Sequence, residues 1–171
     1  YDRAAREIPL TSASVLRSFI LTADGGAELD ADEFCRHANE VVARTLAAAG
    51  DLRIVGVGLA TFWHALLGVN EQGQAVTPIY GWADTRAWRE AETLVQQHDE
   101  RAAHLRTGCR FHAGYWPAKL LWLRQNRPDQ FARVAKWVSP GDYLLSRWCG
   151  ELKTSVSMAS ATGLFDQHRC D

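Results

Sequence analysis

Four side chains between residues 61 and 86 of this 171-residue chain have the types and spacing to hold a polar ligand. Trp63 and His64 follow a short apolar run, Ile54 to Ala60, and Asp84 and Arg86 follow a second run that ends at Trp82. An imidazole offers one hydrogen-bonding nitrogen on each side of its ring, a carboxylate accepts from hydroxyls, and a guanidinium donates to them. An indole adds a flat apolar face beside a single N–H. Two strand ends bringing these groups to one place would make the floor of a site for a small polyhydroxylated ligand. Each residue also has a plainer reading. On an extended chain, positions i and i+2 face the same way. On spacing alone, therefore, an Asp84–Arg86 ion pair capping the next helix leads. A lone histidine such as His64 is more often a satisfied, half-buried side chain than a ligand.

Bulk properties narrow the classes. The length suits one domain, or a large part of one, with a sizeable core. Hydrophobic residues make up 47% and charged residues 23%, as in ordinary globular proteins. A net charge of -1 argues against a sequence-independent nucleic-acid binder, which needs clustered Lys and Arg. No apolar run reaches 18 residues, so no membrane span is expected. The opening YDRAAREIPL has no apolar core of a signal peptide. Cys35, Cys109, Cys149 and Cys170 are widely spaced, with no CxxC. They fit reduced thiols in a cytoplasmic protein better than a disulfide framework or a zinc site.

The elements that must position the four residues follow from periodicity. Val15 to Leu21 is expected as an edge strand closed by an Asp24-Gly25-Gly26 turn. Asp30 and Glu33 form a capping-box pattern. Phe34, Ala38, Val41, Val42 and Leu46 then recur at helical spacing up to a stop at Gly50. Ile54 to Ala60, alternating large residues with glycine, predicts a buried strand. Ala65 to Val69 and Ala75 to Trp82 predict two more around a turn at Glu71 to Gln74, with Pro78 making the last an edge or a bulged strand. A helix is expected over Ala87 to His98, a break at Thr107-Gly108, and an apolar helix from Pro117 to about Asn126. Lys119 sits in that helix's first turn, where a positive charge opposes the dipole, so a carboxylate partner is expected for it. A helix from Pro128, a short strand at Trp137 to Ser139, a helix from Tyr143 to Cys149 stopped by Gly150, and a last strand at Gly163 to Asp166 complete the chain. The hydroxyl-rich stretch Thr154 to Thr162 allows close backbone approach. His98, His104, His112 and His168 receive no role. Cys35 and His37 are expected to be structural.

Taken in order, the segments TFWHALLGVNEQG, TPIYGWADTRA, Thr107-Gly108 with YWPAKLLWL six residues on, Pro-Asp-Gln-Phe, SPGDYLLSRWCGE and SVSMASATGLFD resemble the N-terminal domain of the FGGY carbohydrate kinases. The resemblance covers about residues 50–166 and is nearest to the gluconate-kinase-like and xylulokinase-like branches. It implies an α/β fold: a ribonuclease H-like (actin-like ATPase) domain, a mixed sheet flanked by helices and incomplete at both ends. It further implies transfer of the γ-phosphate of ATP, with magnesium, to a hydroxyl of a sugar, sugar acid or polyol. Trp63 and His64 fall where the family places sugar contacts. Asp84 and Arg86 fall in its Trp-x-Asp-x-Arg segment, lining the same cleft. These four are the substrate-binding residues that the resemblance implies.

Residues 1–171 depart from the complete family pattern. The Asp-x-Gly-Thr phosphate turn, the later Gly-x-x-Asp segment with the catalytic aspartate, and the C-terminal nucleotide domain are not among them. The chain is therefore expected to be the sugar-side part of the N-terminal domain. No catalytic or metal-binding residue, bound ATP or bound magnesium is expected in it, and no phosphorylation by these residues alone. Its expected partner is a small sugar or sugar acid, gluconate or xylulose first, with no nucleic acid and no membrane. Arg86 or Arg110 would favour the acid. An unpaired strand edge would make a homodimer of the isolated chain. The alternative is a non-catalytic module of the same fold that binds a sugar or another protein. An unrelated hydrolase has no support: there is no G-x-S-x-G, HExxH or P-loop, and Ser157 and Ser160 lie in no nucleophile motif.

Overall fold

The computed structural model describes residues 1–171. In chain order the elements are β1 (Ile20–Leu21), β2 (Ala27–Leu29), α1 (Ala31–Ala49), β3 (Leu67–Val69), β4 (Ile79–Tyr80), α2 (Trp88–Gln97), α3 (Glu100–Thr107), α4 (Trp116–Asn126), α5 (Pro128–Ala132), β5 (Lys136–Val138), α6 (Pro140–Cys149) and α7 (Val156–Ser160). The strands form two small antiparallel ladders, β1-β2-β4 and β3-β5. A bridge from Leu66 to Tyr80 joins them. None of the helices is long and apolar enough to cross a membrane.

The core follows the two-residue period of the strands. Leu67, Val69 and Ile79 point to one side, against Phe34 and Cys35 of α1 and Tyr143 and Leu144 of α6. Leu66 and Tyr80 point to the other, against Trp116 and Leu123 of α4. Small residues then let α2 approach α4 closely, through Ala87, Ala91 and Ala118. Leu123 has no exposed surface, so truncating it to alanine would cost about 2–5 kcal/mol.

The β3–β4 hairpin carries the expected bulge. Val69 bridges Ala75 and Leu66 bridges Tyr80, so five steps on the return strand oppose three on the outgoing one. Pro78 donates no ladder bond. Thr77 compensates: its Oγ1 accepts from the Gly68 N–H at 2.8 Å and donates to the Pro78 carbonyl at 2.8 Å. The glycine at position 81, just after β4, is packed closely against Phe19 and the Ala27 carbonyl. A Cβ there would lie 2.4 Å from the Phe19 ring.

Several expected elements differ. Ile54 to Ala60 forms no strand and pairs with nothing, and residues 51–60 are all exposed. An apolar alternating run becomes a strand only when a neighbour supplies a ladder, and no other segment of these residues does. The same gap uncovers the far half of α1, where Val42 and Leu46 are exposed. The capping box is half made: Asp30 accepts from the Glu33 N–H at 2.7 Å, whereas the Glu33 side chain pairs with Arg36. The edge strand expected over Val15 to Leu21 is confined to Ile20–Leu21, which pairs antiparallel with β2. Gly163 to Asp166 forms no strand, and α3 is a helix of its own capped by Asp99. All four cysteines are free thiols.

Candidate functional site

The two strand ends meet at Lys119. Its ammonium donates to the carbonyl of His64 at 3.0 Å and to that of Gly81 at 2.6 Å. The expected carboxylate partner is replaced by two backbone carbonyls. α4 is therefore pinned to the start of one hairpin strand and to the end of the other. The side chain is almost wholly buried. Burial pushes its pKa down to about 7; the charge of Asp84 opposes that shift and the charge of Arg86 adds to it.

His64 stands in the left-handed backbone region, with φ at 63°. That conformation costs a non-glycine residue about 1–2 kcal/mol and gathers at functional sites. The Nδ1 of His64 lies 2.6 Å from the Ala161 carbonyl. A carbonyl only accepts, so Nδ1 carries the proton and donates it. Burial lowers the imidazole pKa, with Lys119 and His112 adding to that and the Ala161 bond opposing it. The ring is accordingly neutral near pH 7, and its Nε2 is an acceptor. Tyr115 packs on the ring with centroids 4.1 Å apart, and His112 packs on Tyr115 at 5.2 Å. Trp63 is half exposed and lines a cavity of about 380 Å³ with Thr61, Asp142, Ser155, Ser157 and Met158.

Asp84 and Arg86 face each other. Arg86 donates to Asp84 from Nε at 3.1 Å and from Nη2 at 2.6 Å, and Nη2 also meets Glu28 of β2 at 2.6 Å. The Asp84 carboxylate further accepts from the backbone N–H of Arg86 at 3.1 Å and of Ala27 at 3.2 Å. The guanidinium stacks on Trp122, 4.6 Å from the ring centroid. Burial works against the Arg86 charge, but the bonds and charge of Asp84, then of Glu28, outweigh it and hold its pKa above the ordinary value. The pair ties the Trp82-to-Arg86 segment to β2 but does not cap α2, whose N-cap, Ala87, has no side-chain bond.

The 171 residues offer no fit for ATP or magnesium. They hold no glycine-rich phosphate turn, and no three His, Cys, Asp or Glu side chains converge as cation ligands.

Residues 10–171 match the FGGY family of carbohydrate kinases, N-terminal domain. The chain belongs to that family. It is 31% identical over 114 residues to a xylulose kinase of Haemophilus influenzae, a match covering 66% of this chain and 23% of that protein. The crystal structure of a ligand-bound xylulose kinase from Lactobacillus acidophilus superposes with a TM-score of 0.83 at 25% identity, over 90% of this chain and 31% of that one. That of a gluconate kinase from the same organism gives 0.80 at 26%, over 86% and 30%. The fold is the α/β, ribonuclease H-like domain of these FGGY sugar kinases. The chain spans about a quarter of the length of the curated relatives it matches.

Sequence reasoning missed Tyr115 and Glu28 and gave Lys119 the wrong kind of partner. Tyr115 gave no signal, because its partner His64 is 51 positions away. Glu28 lay in a strand too short to show a period. Lys119 did give one, as the unfavourable charge in a helix's first turn.

Proposed function

We propose that this chain is the sugar-binding part of an ATP-dependent carbohydrate kinase that phosphorylates a hydroxyl of a sugar, sugar acid or polyol, with gluconate or D-xylulose as substrate. Family membership supports the class. The observation that carries the site is His64, a neutral imidazole locked with Nδ1 on Ala161 and Nε2 free to accept from a sugar hydroxyl. Trp63 provides an apolar face beside it. Asp84 and Arg86, buried and bonded to each other, act indirectly, as the clamp that holds the Trp82 segment. The phosphate turn, the catalytic aspartate and the nucleotide domain with its ATP and magnesium belong, on this reading, to the rest of the enzyme. Residues 1–171 alone then transfer no phosphate.

The test is ADP release by the full-length protein with gluconate, D-xylulose, D-ribulose and glycerol. Turnover of gluconate or D-xylulose is expected, with kcat/KM lowered about tenfold or more in His64→Ala. Absence of turnover with every sugar would favour the non-catalytic module instead.

A further inference from the structure

The backbone of His64 is held in place from another element. Lys119 is 3% exposed, and its hydrogen bonds go to two carbonyls, one on each strand end. An ammonium buried without a bonded carboxylate is costly, and an apolar residue would fill the same space more cheaply. What only a donor at this place does is fix the two carbonyls relative to each other. One of them belongs to the residue whose backbone is left-handed. The other belongs to Gly81, next to Trp82.

We infer that Lys119 is a positioning residue for sugar binding: it clamps the His64 and Gly81 carbonyls and so sets where the His64 Nε2 acceptor points. The inference rests on the proposal that His64 contacts the sugar. The charged and titratable groups around the clamp are Asp84 and Arg86 after β4, Glu28 of β2 bonded to Arg86, His64 itself with His112 near it, and the buried Glu90 of α2, the helix packed on α4. Asp84 favours the Lys119 charge and Arg86 opposes it. Losing the proton leaves two N–H donors but removes their charge, and neutral hydrogen bonds are about half as strong. The clamp loosens as pH rises through about 7, and sugar affinity falls with it.

The experiment uses the full-length kinase with gluconate or D-xylulose, whichever it turns over, and compares wild type with Lys119→Met, Lys119→Gln and His64→Ala. In Lys119→Met the KM for sugar rises about tenfold or more, while kcat and the KM for ATP stay within about twofold. Lys119→Gln, which keeps N–H donors, recovers part of the loss. The wild-type KM for sugar rises from about pH 6.5 to 8.5, and Lys119→Met is flat over that range. An unchanged sugar KM in folded Lys119→Met, beside a raised one in His64→Ala, overturns the clamp and leaves the sugar site standing. An unchanged KM in His64→Ala overturns the sugar reading itself. If Lys119→Met does not fold, the wild-type profile decides: a sugar KM flat across the range overturns the inference.

Discussion

Arg86 meets Asp84 through two guanidinium nitrogens at 3.1 and 2.6 Å, with both side chains 5% exposed. Removing one member leaves the other charged and buried. Arg86→Met is therefore expected to cost about 3–5 kcal/mol, and Arg86→Lys to recover only part, since an ammonium cannot bond Asp84 and Glu28 as a planar fork does. Urea unfolding of the single variants and of Asp84→Asn with Arg86→Met measures the coupling. A double variant as damaged as the sum of the singles would show that the pair does not act as a unit.

Stability should depend on pH through Lys119. Its folded pKa, about 7, lies below the ordinary 10.5. Above pH 7 the unfolded chain holds a proton that the folded chain has released, so stability rises with pH, by at most about 1.4 kcal/mol per pH unit. Cys35 and Cys109, raised above 9.0 by burial, work the other way at higher pH. The window to read is thus pH 7 to 9. Denaturation midpoints that climb in wild type and stay level in Lys119→Met are the expected result.

His64 adds a second, acidic dependence. Burial lowers its pKa below the ordinary 6.5. As pH falls below that value the unfolded chain takes up a proton first, so the folded state loses stability. It also loses its sugar acceptor once Nε2 is protonated. Histidine ring NMR should show Nδ1-protonated, neutral His64 at pH 7, and the Nε2-protonated tautomer would contradict the Ala161 bond.

The unpaired run from Ile54 to Leu59 exposes Val55 and Val57 by 75% and 78%. Free ladder groups with apolar side chains invite pairing with another chain. The isolated 171-residue chain is expected to self-associate, and Val55→Lys with Val57→Lys to reduce this. Sedimentation velocity checks it; a monodisperse wild-type monomer would refute it.

Thr77→Val should be costlier than an exposed substitution. It leaves the Gly68 N–H in the bulge without its acceptor, a loss of about 1–3 kcal/mol. Thr77→Ser, which keeps the oxygen, should cost much less; thermal unfolding of both variants measures the difference.

The sequence by itself determined the elements whose causes are local. Asp30 and Gly50 bound α1, Gly150 ends α6, and Pro78 marks a bulge, because caps and proline act through neighbours a few bonds away. The order of its short motifs also determined the family. Tertiary structure decided the rest. Ile54 to Ala60 has a strand's pattern but no partner, since a ladder needs a second segment that pattern alone cannot provide. Spacing favours the Asp84–Arg86 pair, but its third member, Glu28, lies 58 residues before Arg86 and is recruited only because burial makes an unpaired charge too costly. Lys119 found two carbonyls 38 and 55 residues away. His64 became an acceptor only when Ala161, 97 residues on, took its other nitrogen. These contacts depend on how the chain returns to itself, and no spacing along it encodes them.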